Sequence, residues 1–222
     1  MKKVQKVKET LKRKYEKPGN ILFSGLRRKK LTNTDFSIIC NNCWGGYVYR
    51  FFGLPYCSPT VGLYFFPDDF LRFLGDIRGY LNLSIEFIAP EKSRHFDELM
   101  RKNQTNVPIG RIKDVEIVFL HYRTVEEAYE KWTRRASRVN YDNLIVKFSQ
   151  MNGCKEEHLK AFNDLSFSKM FMFVNTADLA HKYDKALYFK GQENMNELHS
   201  DTTFFNTYID LFDLINSEKY PH

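Results

Sequence analysis

The residues best suited to chemistry in this chain lie together, in the segment Cys40-Asn41-Asn42-Cys43-Trp44-Gly45-Gly46. The apolar run Phe36 to Cys40 before it reads as a buried strand. The aromatic stretch Trp44 to Phe52 after it reads as a helix. Gly53-Leu54-Pro55 closes that helix, because Gly suits the C-terminal cap and Pro cannot continue the turn. Cys43 therefore falls at a strand-to-helix junction, where free amides and the positive end of the helix dipole favour a thiolate. Gly45 and Gly46 would let a substrate approach the backbone closely. With His121 as base, Cys43 could act as a nucleophile in acyl transfer or hydrolysis. The competing reading is packing, with Cys43 a small buried residue and His121 a satisfied histidine at a strand end. The two differ in sign: a nucleophile needs a lowered thiol pKa, whereas a packing cysteine has a raised one.

Other groups add alternatives. Cys40-x-x-Cys43 has dithiol spacing, without the nearby proline-containing turn of thioredoxins. A zinc site would need a second ligand pair, and Cys57 and Cys154 are single, so no metal and no cofactor is expected. Asp68-Asp69 could hold a metal-bound nucleotide, or could simply complement a helix dipole just after Pro67. Arg111, Arg134, Arg135 and Arg138 could meet phosphate or carboxylate groups, the last three reading by default as a solvated helix face.

The elements that would position these groups follow from periodicity. Val61 to Phe66 and Leu83 to Ala89 read as extended. A helix opening at Pro67 carries Phe70, Phe73, Leu74 and Ile77 on one face. Residues 91–106 are polar and read as a mobile loop. Val115 to Leu120 is the clearest strand and delivers His121 and Tyr122. Thr124 with Glu127 forms a capping box for a helix to about Arg138. Leu144 to Phe148, Met170 to Val174 and Ala186 to Phe189 read as strands, Cys154 to Leu165 and Thr203 to Ile215 as helices. This alternation implies an α/β fold: a mostly parallel sheet flanked by helices in a Rossmann-like, three-layer arrangement. The expected organisation is one domain over 20–222, preceded by a basic arm or helix over 1–19. In open sheets of this kind ligands gather outside the carboxyl ends of the strands. The expected rim comprises Asn41, Asn42 and Cys43, then His121 and Tyr122, Ser149 and Gln150, and Asn175 and Thr176.

Composition narrows the classes. The chain has 222 residues and a formal charge of +7, concentrated in Lys2 to Lys17 and Arg27 to Lys30. A basic arm over residues 1–18 could meet an anionic membrane face. No nucleic-acid module accompanies the charge, so no nucleic-acid partner is expected. No apolar run approaches the roughly 18 to 20 residues needed to span a bilayer, and no secretory signal opens the chain. Four cysteines in a chain of this length do not resemble a disulfide framework. The expected compartment is the reducing cytoplasm, with the inner membrane face as a peripheral location.

Several separated motifs are familiar together. Asn41-Asn42-Cys43-Trp44-Gly45-Gly46, Gly53-Leu54-Pro55-Tyr56-x-Ser58-Pro59-Thr60-x-Gly62-Leu63 and Pro67-Asp68-Asp69-Phe70 are three of them. Pro108-x-Gly110-Arg111, Phe119-Leu120-His121-Tyr122 and Trp132-x-Arg134-Arg135 are the others. Over roughly residues 20 to 190 the chain resembles an uncharacterised bacterial family, domain of unknown function 1919, often labelled exopolysaccharide biosynthesis protein. The resemblance implies a cytoplasmic α/β protein of surface-glycan assembly and supplies no mechanism. In that family Ser is commoner than Cys at the position of Cys40, which counts against a dithiol.

The expected function is thus an enzyme of surface-polysaccharide biosynthesis acting on a glycan precursor or sugar nucleotide. Cys43 and His121 are its catalytic candidates. Asn41, Asn42, Trp44, Gly45, Gly46, Asp68, Asp69, Arg111, Tyr122 and Gln150 are its substrate-binding candidates. A metal-dependent sugar-nucleotide transferase and a non-catalytic partner docked on a membrane glycan-assembly complex are the alternatives.

Overall fold

The computed structural model describes residues 21–220, so the basic arm over 1–19 lies outside the described residues. Within them run strands β1 (Ser37–Cys40), β2 (Glu86–Ile88), β3 (Ile109–Ile112), β4 (Val115–Val118), β5 (Leu144–Ser149), β6 (Lys169–Val174) and β7 (Ala186–Tyr188). The helices are α1 (Ser24–Arg28), α2 (Trp44–Phe52), α3 (Pro67–Gly75), α4 (Ile77–Asn82), α5 (Phe96–Arg101), α6 (Val125–Ala136), α7 (Glu156–Asn163), α8 (Ala177–Lys182) and α9 (Leu211–Asn216).

Four strands form a parallel sheet in the order β1-β5-β6-β7. Their sequences are nearly continuous apolar runs because both faces are covered, as parallel sheets require. Alternate residues serve opposite layers. Ile38, Cys40, Ile145, Phe171 and Phe173 pack with Trp44, Val48 and Phe52 of α2 and with Leu211 and Leu214 of α9. Ile39, Val146, Phe148, Met170, Met172 and Val174 pack with Phe70 and Phe73 of α3, Trp132 of α6, and Leu159 and Phe162 of α7. The three-layer α/β expectation holds for this sheet.

Several elements differ from the sequence reading. β4 does not belong to the parallel sheet. It pairs antiparallel with β3, and β3 with β2, in a separate small sheet. Val61 to Phe66 is no strand; within it Tyr64 alone bridges to Val118. A short apolar run reports burial, not the direction or identity of its neighbour. The helix opening at Pro67 breaks at Asp76 (φ −154) before Ile77. The polar stretch 91–106 contains α5, whose Leu99 is fully buried. Thr203 to Ile215 is turns until Asp210, whose side chain accepts from the amides of Phe212 and Asp213 and starts α9.

The sheet order never reverses, so there is no switch-point crevice of the doubly wound kind to predetermine a ligand site. Among the described residues no helix is long and apolar enough to cross a membrane.

Candidate functional site

The turn from β1 into α2 is built by its two asparagines. Asn41 is fully buried and extends the β1–β5 pairing with its side chain, donating to Ser149 O (3.0 Å) and accepting from Ser149 N (2.9 Å). Asn42 Oδ1 accepts from Trp44 N at 3.1 Å, satisfying one of the free amides at the start of α2. Trp44 turns inward: it is fully buried, and its indole donates to Phe205 O at 3.1 Å. Gly45 is needed for packing, since a Cβ there would meet Ile38 Cγ2 at 3.0 Å. Asn41, Asn42, Trp44 and Gly45 thus each hold the turn together, and none of the four lines the adjacent cavity described below.

Cys43 and His121 come from different sheets, yet one wall brings them together. The segment Gly62–Phe65 threads between the end of β1 and the small sheet. Phe65 N donates to Asn41 O (3.1 Å), and Tyr64 and Val118 exchange backbone bonds at 2.9 and 3.0 Å. His121 N donates to Gly62 O (3.0 Å), and Cys43 Sγ faces Leu63 O at 3.7 Å. Gly62 has φ 84, and a Cβ there would sit 3.0 Å from the Tyr122 ring, so the wall can pass only as glycine.

Against this wall lies a cavity of ≈ 330 Å³ lined by both Cys43 and His121. Gly46 and Tyr122 also line it, as expected. Three cations line it too: Arg50 from α2, and Lys131 and Arg135 from α6. Arg135 is buried and fixed, donating to Tyr122 Oη (2.6 Å) and Val61 O (3.0 Å), with its guanidinium 4.9 Å from the Tyr56 ring centroid. It is not on a solvated face, whereas Arg134 is, paired there with Glu130 at 3.0 Å. Lys131 pairs with Glu127 and stands 5.6 Å from the Tyr122 ring. Arg50 is exposed, and its guanidinium makes no hydrogen bond or ion pair within the described residues. Tyr47 and Tyr56 supply ring faces. Among the described residues no Asp or Glu lines the cavity; Glu127 stands behind Lys131, so Arg50 and Arg135 carry most of the positive potential its contents meet.

The Cys43 thiol is not poised as the helix N-terminus suggested. Burial pushes its pKa up to about 12, and the neighbouring Cys40 thiol and Asp201 carboxylate push the same way. At neutral pH Cys43 is a thiol facing a carbonyl. Cys40 is buried and also raised by burial; its sulfur accepts from Gly45 N at 3.4 Å.

Other expected site residues lie elsewhere. Asp68 and Asp69 diverge around α3. Asp69 is buried and meets His95 Nε2 (2.6 Å), Arg94 (3.1 Å) and Glu116 N (2.9 Å), fastening α3 to the small sheet. Asp68 is exposed and meets His158 Nε2 at 3.2 Å. Arg111 pairs with Glu116 at 2.9 Å, and Gln150 Oε1 accepts from Asn175 N at 3.0 Å. None of these four lines the cavity. Among the described residues no group of three or more His, Cys, Asp or Glu side chains could hold a metal ion.

The family model described as "Domain of unknown function (DUF1919)" matches residues 15–217. The chain belongs to this family. The DUF1919 match extends past the motifs into α9, so it includes the connection between β7 and α9. A Haemophilus influenzae protein described as "Uncharacterized protein" is 34% identical over 192 residues, covering 85% of this chain and 86% of its own length.

Sequence reasoning missed a second polar group of this DUF1919 chain. Lys147, in the middle of β5, and Asp201, beyond β7, form a fully buried ion pair that Ser149 and Asn42 complete. The signal was present: a lysine inside a strand otherwise apolar on both faces requires a buried partner.

Proposed function

We propose that this chain is an enzyme of bacterial surface-polysaccharide biosynthesis that binds an anionic glycan precursor, a sugar phosphate or sugar nucleotide, in the Cys43/His121 cavity. The observation that carries the reading is the lining: Arg50, Lys131 and Arg135 with Tyr47, Tyr56 and Tyr122, and no carboxylate. Guanidinium and ammonium groups suit phosphate oxygens, and tyrosine faces suit a pyranose or a base. Arg135, already held by Tyr122 and Val61, offers a pre-oriented donor, and Arg50 an uncommitted one at the mouth. The surface-polysaccharide setting comes from the motif resemblance described above. With its thiol protonated, Cys43 serves as a hydrogen-bond donor or acid toward bound substrate, and the exposed His121 is the base available to the cavity. The divergence of Asp68 and Asp69 favours this reading over a metal-dependent transferase.

The test is calorimetry with UDP-sugars and hexose phosphates on wild type, Arg50→Ala and Lys131→Ala. Binding should be weakened about ten-fold or more by either substitution, the equivalent of one lost charge-assisted contact of about 1.5–3 kcal/mol. Absence of binding across the panel, or binding indifferent to both substitutions, would remove the proposal.

A further inference from the structure

Outside that cavity, a set of buried polar side chains lies at the carboxyl ends of β1 and β5. Lys147 has no exposed surface, and its ammonium stands 5.7 Å from the Trp44 ring and 5.3 Å from the Phe173 ring. Such a group costs several kcal/mol to bury unless an anion answers it. The anion is the Asp201 carboxylate. Lys147 Nζ and Ser149 Oγ (2.6 Å) both donate to Oδ2, and Asn42 Nδ2 reaches Oδ1 at 3.0 Å and Oδ2 at 2.8 Å. Lys147 also donates to Asn42 Oδ1 at 3.2 Å. An ammonium, a hydroxyl and an amide thus converge on one carboxylate, beside the N-terminus of the nine-residue α2.

The carboxylate arrives on an unusual carrier. Asp201 ends a strap without helix or strand that leaves β7 and crosses the carboxyl ends of β5 and β6. Leu198 N donates to Gln150 O at 2.7 Å, Asn175 Nδ2 donates to Met195 O, and Gly153 N donates to Glu197 Oε2 at 3.0 Å. From Gly191 to Ser200 the strap buries Leu198 alone. Under the strap, Asn175 Oδ1 is buried without a hydrogen-bond partner among the described residues. A segment with so little apolar burial opens at low free energy relative to the core strands beneath it.

We propose that Lys147, Ser149 and Asn42 form an oxyanion-binding niche at the carboxyl end of the parallel sheet, that Asp201 fills it as an internal plug, and that lifting the strap opens it to the phosphate or carboxylate of a ligand. The niche is distinct from the tyrosine-lined cavity, and Cys43 stands between the two. Burial is the main reason the Cys43 thiol pKa is raised; Asp201 adds to it and Lys147 opposes it, so the plug contributes to keeping Cys43 protonated. Removing the carboxylate leaves the ammonium unanswered and favours the thiolate.

The experiment uses Asp201→Ala with formate and inorganic phosphate at constant ionic strength. Three results are expected. The variant gains a saturable rise in Tm with either anion beyond that of wild type, and the Lys147→Met/Asp201→Ala double variant loses the gain. Cys43 alkylation at neutral pH accelerates about three-fold for each unit the thiol pKa falls, the gain in thiolate being partly offset by its lower nucleophilicity. That acceleration reverses as formate fills the niche. A folded Asp201→Ala protein with no saturable anion response, or a double variant that responds equally, overturns the proposal. Should Asp201→Ala not fold, Asp201→Asn keeps the shape of the plug without its charge. Faster hydrogen exchange at the Leu198 amide and faster Cys43 labelling are then expected, and no change in either is the overturning result. In wild type, inorganic phosphate should speed Leu198 exchange, and chloride of equal ionic strength should not; equal exchange in the two salts removes the displaceable plug. Arg50→Ala should leave the formate-dependent rise in Tm and the Leu198 exchange unchanged while weakening sugar-phosphate binding, so failure of the cavity reading and failure of the niche are told apart.

Discussion

Asn41 and Ser149 are joined by two antisymmetric hydrogen bonds, the side-chain amide of one to the main chain of the other. The pair continues a parallel ladder beyond Cys40, where the backbone of β1 has already turned away toward α2. Replacing Asn41 with Ala would leave a buried N–H and a buried C=O unanswered. Each such group costs about 1–3 kcal/mol, so Asn41→Ala should lose about 2–4 kcal/mol in urea unfolding. A loss below about 0.5 kcal/mol would mean that water or backbone movement replaces both bonds.

Cys43 yields a prediction with a definite sign. Above about 8.5, the pKa of an ordinary thiol, the unfolded chain loses a proton that the folded chain keeps. The folded value is about 12, so folding stability falls with rising pH across that interval. Cys43→Ser removes this slope. The variant should gain on wild type by up to about 1.4 kcal/mol per pH unit between about pH 9 and pH 10.5. Parallel pH profiles would contradict the raised pKa. Consistently, iodoacetamide should label Cys43 of the wild-type protein no faster than an ordinary thiol near pH 6.5.

The acidic pair of α3 should behave as two unrelated residues. Asp69→Asn weakens the bonds to His95 and Arg94 and should cost about 1.5–3 kcal/mol. Asp68→Asn, at an exposed carboxylate, should stay within about 0.5 kcal/mol. Sugar-nucleotide binding should survive both Asp68→Asn and EDTA. Loss of binding in EDTA would restore a metal-dependent reaction.

Gly53 closes α2 in the left-handed region at φ 62, and a Cβ there would stand 2.7 Å from Ser24 Oγ. Gly53→Ala should therefore cost more than the roughly 1–2 kcal/mol of the backbone strain alone. A chemical-denaturation midpoint equal to wild type would show that α1 moves aside freely.

Local signals carried much of the architecture. Gly53-Leu54-Pro55, Pro67 at a first helical turn, and Thr124 accepting from Glu127 N are decided within a few residues, and they appear as read. The strands of the parallel sheet were legible because burial on both faces leaves little but apolar side chains. What was not legible is what distance decides. Val115–Val118 has the composition of a central parallel strand and lies in an antiparallel sheet, since pairing direction leaves no mark in a short apolar run. The meeting of Cys43 with His121 was expected at one rim of one sheet; it arises instead from Gly62–Phe65 bridging two sheets. Arg135 was masked by neighbours that are solvated, and its helical spacing from Lys131 was the available clue. Lys147 announced a need for an anion without naming Asp201, which lies beyond two further strands.

The order of the parallel sheet also bears on synthesis. β1 emerges from the ribosome first, yet its register partner begins with Leu144 opposite Ser37, about a hundred residues later. The intervening chain, with the whole antiparallel sheet and α2 to α6, must be made before β1 has an edge to join. β5, β6 and β7 follow one another through single short helices, so they can assemble locally. Non-local pairings of this kind close slowly because the loop entropy is lost before the contacts form. A nascent chain that stalls before Leu144 therefore displays Phe36, Ile38 and Ile39 without a partner strand, and that interval is when the chain is most exposed to aggregation.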